Sequence, residues 1–330
     1  MSLKIGNVSL TYGLMLAPMA GYTDRAMRRV CRELGAEYLV SEMVSAKALV
    51  YQDRKSAPLA RVLPDELPSA VQLFGSEPDI LREAARIVSC GIQGGVPPSA
   101  IDLNFGCPVR KITGNGEGSA LMKTPQRIEQ ITAAVARASA LPVTVKLRAG
   151  WDAESRNAAE CARAAEAGGA ALICVHGRTR SQLYAGEADL GIIGEVVRAV
   201  SVPVVGNGDV RDAASARRML DRTGCAALMI GRGAVGNPFV FREIAASMAG
   251  ESYTPPTLAE RITVGLRQLS YAILDKGEET AVLESRKALA AYVVGVRGAA
   301  AVRARIHGAT SERELREIAL SFLLQAHEDM

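Results

Sequence analysis

The stretch Asn104-Phe105-Gly106-Cys107-Pro108 places a thiol on a sharp turn, directly after an apolar run that predicts a buried strand. Gly106 permits backbone conformations that are closed to other residues, and Pro108 fixes the exit of the turn. A thiol held at such a turn can donate or accept a proton at a defined point in space. A single cysteine is also compatible with a small buried hydrophobic residue, which is its commonest environment. The surrounding sequence decides between these two interpretations.

Residues suited to ligand binding end or follow the other short apolar runs as well. In chain order they are Pro18 with Met19, Glu42, Gln72, Asn104 with Cys107, Lys146 with Arg148, His176 with Arg178, Asn207 with Asp209, and Gly231 with Arg232. Polar groups at the ends of buried strands are costly unless they face a ligand. If the runs are the strands of one parallel barrel, these residues form a ring at its mouth, where such barrels carry their active sites.

Two of these groups lie in glycine-rich loops that suit a phosphate. The loops Gly206-Asn207-Gly208-Asp209 and Ile230-Gly231-Arg232-Gly233 follow the seventh and eighth runs. Loops at these positions of a barrel commonly bind phosphate, although ordinary tight turns have the same composition. Gln72 and Lys146 can hydrogen-bond a planar heterocycle, and a lysine near a reducible ring stabilises negative charge on it. An ion pair between Lys146 and Glu42 is the structural alternative.

The elements that must position these residues are short apolar runs separated by helical segments. The runs are Leu14–Met19, Glu37–Met43, Ala70–Phe74, Ala100–Asn104, Pro142–Leu147, Ala171–His176, Pro203–Gly206 and Ala226–Gly231. Segments between them, such as 82–89, 125–140 and 158–167, are apolar at i, i+3 and i+4. Apolar strands that alternate with helices indicate a parallel sheet covered on both faces. We therefore predict an α/β fold, a (β/α)8 TIM barrel, with a doubly wound sheet as the alternative. Residues 5–10 are expected to form half of a small hairpin that closes the bottom of the barrel.

The pattern changes after about Met248, where no strand signal remains. Helical tracts are predicted at 258–274 and 280–292, and an amphipathic run at 312–326. We therefore expect a catalytic barrel domain over residues 1–247 and a small all-helical domain over residues 248–330.

The composition is that of a soluble globular enzyme. The 330 residues are 48% hydrophobic and 22% charged, and the net charge of +4 is compatible with a nucleic-acid partner without requiring one. Six scattered cysteines without a Cys-x-x-Cys pair, and only three histidines, predict free thiols and no metal site. The first residues lack the order of a signal peptide, and no apolar run approaches the ~20 residues that span a bilayer. We expect a cytoplasmic protein without membrane contact, and no obligate protein partner is indicated.

Longer motifs run in one order across nearly the whole predicted barrel. They are Ala17-Pro18-Met19-Ala20-Gly21-Tyr22-Thr23-Asp24, Ser41-Glu42-Met43, Val71-Gln72-Leu73-Phe74-Gly75, Asn104-Phe105-Gly106-Cys107-Pro108, Gly118-Ser119-Ala120-Leu121-Met122, Lys146-Leu147-Arg148-Ala149-Gly150-Trp151-Asp152, His176-Gly177-Arg178-Thr179-Arg180, Gly206-Asn207-Gly208-Asp209 and Met229-Ile230-Gly231-Arg232. Together they resemble the tRNA-dihydrouridine synthase family, most closely its bacterial B-type branch, and a weaker similarity continues into the helical tail. Several of the motifs are shared with flavin-binding barrels outside this family, but the set as a whole is specific to it.

The resemblance implies FMN in the barrel mouth and NADPH as the reductant. The flavin-contacting positions of the family fall here on Pro18, Met19, Ala20, Gln72, Lys146, His176, Asn207, Asp209, Gly231 and Arg232. Cys107 matches the catalytic cysteine: in the implied mechanism, reduced flavin passes a hydride from N5 to C6 of a uracil ring and the thiol protonates C5. A thiol near its ordinary pKa of ~8.5 is mostly protonated at neutral pH, which suits this role. Asn104 and Arg178 are expected to hold the uracil edge.

The resemblance also implies a tRNA substrate, in which a uridine of the D-loop region is reduced. The base must be swung out of the folded RNA, which calls for a positive surface around the mouth. The segment 286–308 contains no acidic residue and carries Arg286, Lys287, Arg297, Arg303 and Arg305. We expect Arg286 and Lys287 to bind the RNA, with a solvated helix face as the alternative. Ala288 and Ala291 depart from the Arg-Lys-His and Trp-Tyr patterns common in the family.

Two other functions fit parts of the sequence. A flavin barrel of the dihydroorotate or dihydropyrimidine dehydrogenase kind would act on a free pyrimidine, for which a basic tail has no use. An RNA-binding protein that kept the fold but lost catalysis would have no need of Cys107 and Lys146.

Overall fold

Parallel strands close into a barrel in the computed structural model, which describes residues 3–54 and 56–328 of the chain. The strands are β1 (Leu3–Ile5), β2 (Val8–Leu10), β3 (Leu14–Leu16), β4 (Tyr38–Ser45), β5 (Ser69–Phe74), β6 (Ala100–Phe105), β7 (Val143–Arg148), β8 (Leu172–His176), β9 (Val204–Asn207) and β10 (Ala227–Ile230). β1 and β2 form an antiparallel hairpin, whereas β3 to β10 pair in sequence and β10 closes on β3. The predicted TIM barrel is confirmed.

Helices cover the outside of the barrel and form the tail. They are α1 (Arg25–Glu33), α2 (Ala46–Val50), α3 (Ser56–Ala60), α4 (Pro78–Ser89), α5 (Arg110–Thr113), α6 (Pro125–Ala138), α7 (Ala158–Ala167), α8 (Leu190–Ala199), α9 (Ala213–Thr223), α10 (Val240–Ala249), α11 (Leu258–Lys276), α12 (Glu278–Tyr292), α13 (Ala299–Gly308) and α14 (Glu312–Glu328). Short 3-10 turns lie at Pro64–Glu66, Gly118–Lys123 and Arg232–Ala234. Among residues 3–54 and 56–328, no helix has the length and apolar character needed to cross a membrane.

The predicted runs coincide with the barrel strands, and their ends differ by at most two residues except in the first run. That run was predicted to continue to Met19, but β3 ends at Leu16. The chain turns there because the Met19 carbonyl accepts hydrogen bonds from the amides of Tyr22 and Thr23, at 2.9 and 3.0 Å. This turn brings residues 18–22 over the mouth of the barrel.

The inward-facing side chains divide the barrel into an apolar bottom and a polar mouth. At the bottom, apolar side chains of the β1–β2 hairpin pack with inward residues such as Met15 and Tyr38. Along β6 the inward positions are Ala100, Asp102 and Asn104, which change from apolar to polar toward the mouth. Because alternate residues of a strand face the same side, the apolar bottom and the polar mouth are built from the same strands.

The tail has a core of its own, formed by α11 to α14. Buried side chains from each of these helices contribute to it, including Leu269, Leu289, Ile306 and Leu315. The predicted tracts correspond to α11, α12 and α14, whereas α13 was not predicted because its Ala- and Arg-rich sequence has only a weak apolar stripe. α10 ends at Ala249, so the predicted boundary between residues 247 and 248 falls in its last turn, and the division into two domains stays a prediction.

Ion pairs join the tail to the N-terminal end of α1, next to the barrel mouth. Arg25 contacts both Glu66, on the barrel, and Asp275, in α11. Lys276 pairs with Asp24, whose carboxylate also caps the N-terminus of α1. The tail is therefore anchored beside the mouth rather than at the bottom of the barrel.

We predict that Glu66→Ala strongly destabilises the protein, since Glu66 is fully buried and pairs with the buried Arg28 at 2.6 Å. Removing it leaves the Arg28 guanidinium without its carboxylate, which costs about 3–5 kcal/mol of unfolding free energy. Urea denaturation followed by circular dichroism measures this loss. Glu83→Ala, which breaks an exposed pair with Arg86, is the control and should cost at most ~1 kcal/mol. Equal losses in the two variants would contradict the prediction.

Candidate active site at the barrel mouth

A cavity of about 820 Å³ opens at the carboxyl ends of the barrel strands. The predicted site residues that line it are Pro18, Met19, Ala20, Gln72, Asn104, Cys107, Lys146, His176, Asn207, Asp209, Gly231 and Arg232. The predicted residues Arg178, Arg286 and Lys287 are not part of this lining. The volume lies in the range of small-molecule and cofactor sites.

The turn that carries Cys107 is held through its backbone. Asn104 Oδ1 accepts hydrogen bonds from the amides of Gly106, at 3.1 Å, and Cys107, at 2.8 Å. Arg148 Nε donates to the Gly106 carbonyl at 2.9 Å. Gly106 does not use the conformational freedom that glycine permits, because its φ is not positive. Glycine instead allows close approach to β7, since a Cβ would make a tight contact of 3.3 Å with the carbonyl carbon of Leu147.

The segment at Gly118 and Ser119 closes over the Cys107 carbonyl. Ser119 donates to this oxygen from its amide, at 3.1 Å, and from its hydroxyl, at 2.9 Å. Gly118 has a φ of +59°, and a Cβ there would lie 2.9 Å from the same oxygen. The sequence does not predict that Gly118 and Ser119 bind the Cys107 carbonyl, because this contact joins residues that lie eleven or twelve positions apart.

The Cys107 thiol is half-buried and lines the cavity. Burial raises its pKa above the ordinary value, although the Val109 amide and the charge of Arg148 oppose the rise. A neutral thiol can donate a proton at neutral pH, and the Arg148 guanidinium would stabilise the thiolate that remains. Burial lowers the pKa of Arg148 itself to about 10, so Arg148 is still charged at neutral pH.

Lys146 is oriented by Asn207, which lies two strands away in the barrel. Lys146 Nζ donates to Asn207 Oδ1 at 2.8 Å. The alternative ion pair with Glu42 does not form, because Glu42 accepts a hydrogen bond from the Gly21 amide on the mouth loop. Burial lowers the pKa of Lys146, and the nearby Asp102 carboxylate opposes this effect.

Asp102 is a buried carboxylate beneath the cavity that sequence reasoning did not identify. Its oxygens accept hydrogen bonds from Thr144 Oγ1 and, at 2.6 Å, from Gln72 Nε2. Gln72 Oε1 in turn accepts from Asn104 Nδ2 at 2.8 Å. Burial raises the pKa of Asp102 to about 6, although these hydrogen bonds and the charge of Lys146 oppose it. The signal in the sequence is the spacing of two residues between Asp102 and Asn104, which places both on the inner face of β6.

The loops after β9 and β10 form one wall of the cavity, to which residues 207–211 and 231–233 contribute. The two loops touch, since a Cβ at Gly233 would lie 2.3 Å from the Val210 carbonyl oxygen. Arg232 adds positive charge to this wall. The arrangement fits an anionic group such as a phosphate.

Arg178 lies behind this wall. Its guanidinium contacts both carboxylate oxygens of Asp209, at 2.8 Å each, and donates to the carbonyls of Ala185 and Gly186. Partial burial acts to raise the pKa of Asp209, but hydrogen bonds from Arg178 and the Ala188 amide outweigh it, so the pKa lies below its ordinary value. Because all three guanidinium nitrogens of Arg178 bind the protein, this geometry does not support its predicted contact with a uracil edge.

His176 lines the cavity as a neutral imidazole. Burial, followed by the positive charges of the neighbouring lysine and arginines, lowers its pKa well below the ordinary value. At neutral pH it therefore offers one hydrogen-bond donor and one acceptor.

The two basic residues predicted to bind RNA lie on α12 in different environments. Lys287 is exposed, and its Nζ lies 4.5 Å from the ring centre of Tyr22, which lines the cavity. Arg286 is half-buried, and its Nε has no hydrogen-bond partner among the described residues. Only Lys287 is therefore brought to the edge of the mouth.

The remaining thiols do not join the site. Within the part of the chain that the structure describes, the six cysteines are free; Cys90 is exposed and the others, apart from Cys107, are buried. In the same part, no group of three or more His, Cys, Asp or Glu side chains is placed to hold a metal ion. The expectation of a metal-free site stays a prediction.

Comparison with known proteins gives one family. The family model described as dihydrouridine synthase (Dus) matches residues 15–327. The chain is 41% identical over 308 residues to tRNA-dihydrouridine synthase B of Pseudomonas aeruginosa, covering 92% of this chain and 90% of that protein. It is 40% identical over 308 residues to the probable tRNA-dihydrouridine synthase of Rickettsia conorii, covering 92% and 91%.

Solved structures that resemble the chain share its fold at low sequence identity. Histamine dehydrogenase from Rhizobium sp. 4-9 superposes with a TM-score of 0.55 and 14% identity, over 82% of this chain and 50% of that one. 2-Naphthoyl-CoA reductase superposes with a TM-score of 0.57 and 11% identity, over 76% of this chain and 52% of that one. The chain thus spans about half of each of these proteins, and the likeness concerns the barrel fold alone.

We predict that Asp102→Asn stabilises the protein more at neutral than at acid pH. The pKa of Asp102 is raised by folding from 3.8 to about 6, so the folded state binds the proton more tightly and wild-type stability falls as the pH rises between these values. The variant lacks this dependence, so its advantage should grow by about 2 kcal/mol between about pH 4.5 and about pH 7. Urea denaturation at the two pH values measures it. A constant difference would contradict the raised pKa.

Proposed function

Since the chain belongs to the dihydrouridine synthase (Dus) family, we propose that it is a tRNA-dihydrouridine synthase. It reduces the C5=C6 bond of a uridine in the D-loop region of tRNA, with FMN as the cofactor and NADPH as the reductant. The observation that carries this proposal is the half-buried Cys107 thiol, held by its backbone at the edge of a positively charged cavity. Residues 1–247 act as the FMN-binding barrel domain and residues 248–330 as the tRNA-binding domain.

The residues at the mouth fit FMN. The touching loops after β9 and β10 would hold the phosphate through backbone amides at Asn207, Asp209 and Gly231 and through the Arg232 guanidinium. Pro18, Met19 and Ala20 would cover the ring from the mouth loop. Gln72, Lys146 and the neutral His176 would hydrogen-bond its polar edge. Bound and reduced FMN supplies the hydride that C6 of the uracil ring receives.

Cys107 supplies the proton in this reaction. The thiol donates it to C5, so one hydride and one proton convert the double bond into a single bond. Burial favours the protonated thiol before the step, and Arg148 stabilises the thiolate after it. The thiolate then takes a proton from solvent. Because Asn104 Oδ1 already accepts from the amides of Gly106 and Cys107, Asn104 would contact the uracil edge through Nδ2, whose second partner is the weak acceptor Met43 Sδ.

The substrate RNA would approach from the side of the tail. Lys287 and Tyr22 meet at the edge of the cavity, so a phosphate and an extruded base could be bound next to each other there. Arg286 lies next to Lys287 in α12 and would add positive charge to this surface, although its Nε is buried. The ion pairs between α1 and α11 keep this surface beside the mouth.

We predict that Cys107→Ala retains bound yellow flavin but loses most uridine reduction. Because the step needs a proton at C5, the loss should be ~10²-fold or more in turnover of an unmodified tRNA transcript. Mass spectrometry of the digested RNA measures the dihydrouridine formed, and the visible absorption spectrum measures the fraction of protein that holds flavin. Cys90→Ala, which removes the exposed thiol at the end of α4, is the control and should keep full turnover.

The same assay tests the proposed function against its rival. Wild-type protein should reduce the transcript and leave free uracil and orotate unchanged. Turnover of a free pyrimidine without turnover of tRNA would favour the dehydrogenase alternative, and undiminished turnover in Cys107→Ala would exclude the thiol as the acid.

We predict that replacing Arg286 and Lys287 by Ala weakens tRNA binding and flattens its dependence on salt. Each lost phosphate contact lowers the slope of log affinity against log salt by about one. Fluorescence anisotropy with labelled tRNA at several salt concentrations measures the slope. A variant with Arg82 and Arg313 replaced by Ala has the same net charge, since both are exposed arginines paired with acidic neighbours, and should bind as the wild type does. Equal slopes in both variants would place the RNA surface elsewhere.

A further inference from the structure

The orientation of the side-chain amides beneath Cys107 is determined by the backbone of the turn. The amides of Gly106 and Cys107 can only donate, so the Asn104 atom that faces them must be the oxygen. Asn104 Nδ2 therefore faces Gln72, which must present its oxygen, at 2.8 Å. Gln72 Nε2 then points to Asp102, at 2.6 Å, and only an acceptor satisfies it. The hydrogen bonds from the turn amides through Asn104 and Gln72 to Asp102 therefore share one direction, with each donor on the side of the turn or of the preceding amide.

We propose that Asp102 is a positioning residue for Cys107, which acts through the amides of Gln72 and Asn104 to hold the turn that carries the thiol. The carboxylate accepts from Gln72, fixes which way its amide points, and so leaves an acceptor for Asn104. Asn104 in turn keeps its oxygen on the amides of Gly106 and Cys107. This inference rests on the proposed role of Cys107 as the proton donor, although its test does not.

Burial makes the three side chains depend on one another. Gln72, Asp102 and Asn104 are 1%, 2% and 8% exposed, so water cannot readily replace a missing partner. The other contact of Asn104 Nδ2 is with Met43 Sδ at 3.5 Å, and a thioether is a weak acceptor. If the Gln72 side-chain amide rotated by 180°, its Nε2 would face Asn104 Nδ2, and two donors would meet. Asn104 could then present its oxygen to Gln72 only by giving up its hydrogen bonds with the amides of Gly106 and Cys107.

A second role for Asp102 predicts a different pattern. As a countercharge for Lys146 it would act through its charge, and any neutral replacement would have the same effect. In Asp102→Asn the side-chain oxygen can accept from Gln72, while its amide group faces the Thr144 hydroxyl, which can accept as well as donate. This variant loses the charge and keeps the polarity. Asp102→Leu loses both.

The test compares the two variants by hydrogen exchange and thiol alkylation in the flavin-loaded, full-length protein. The exchange rates of the Gly106 and Cys107 amides measure how often the turn opens. The rate at which iodoacetamide modifies Cys107, in a Cys90→Ser background, measures the exposure of the thiol. Asp102→Leu should speed both by about five-fold, the effect of losing one hydrogen bond, while Asp102→Asn stays within about two-fold of wild type. Exchange in β8 serves as the control for general loosening.

Equal rates in wild type and Asp102→Leu would overturn the proposal, and so would equal acceleration in the Leu and Asn variants, which would assign the effect to charge. If Asp102→Leu does not fold, Gln72→Met interrupts the same path at its middle and should accelerate both rates alike. If both fold, the double variant should show no further acceleration, because the two act on one path; additive effects would contradict it. Neither readout requires turnover, so a failure of the proposed function would be seen separately.

Discussion

Each barrel strand turns alternate side chains inward, and closure of the barrel forces those side chains into one narrow interior. The bottom of this interior is filled by apolar residues and sealed by the β1–β2 hairpin, so it cannot admit a ligand. Polar groups are then confined to the mouth, where they are buried on three sides and must satisfy one another. The perturbed pKa values of Asp102, Lys146 and His176 all follow from this confinement. The inward positions at the mouth must therefore carry the polar groups of the site and also satisfy the hydrogen bonds of those groups.

β6 illustrates this constraint most fully, because it contributes both the buried carboxylate and the turn that carries the thiol. Asp102 lies below the cavity, Asn104 lines it, and Cys107 follows at its edge. Residues outside β6 also hold the turn. Arg148 of β7 donates to the Gly106 carbonyl, Ser119 donates to the Cys107 carbonyl, and Gly118 packs closely against that same oxygen. Cys107 is thus held through its backbone, while its side chain lines the cavity.

The fold and most of the cavity lining could be predicted because both depend on local pattern. Apolar runs located the strands, and residues at the ends of the runs, such as Gln72 and Lys146, had to meet at the mouth once the barrel closed. Features that depend on distant contacts could not be predicted in this way. Arg178 lies two residues after the run that ends at His176, yet its guanidinium turns away from the cavity to Asp209. Asp102 lies inside a run, and although its spacing from Asn104 indicates that it faces inward, its partners Gln72 and Thr144 lie on other strands. α13 was overlooked because its burial comes from the other tail helices.

The most direct test of the central claim is the dihydrouridine content of cellular tRNA. Bulk tRNA from a strain lacking the gene is digested to nucleosides, dihydrouridine is quantified by mass spectrometry, and its positions are mapped, with complementation by the wild-type gene and by a Cys107→Ala allele. We expect dihydrouridine to be lost at one or a few D-loop positions and restored by the wild type alone. Unchanged dihydrouridine at every position, in a strain that has no second enzyme of the family, would contradict the account.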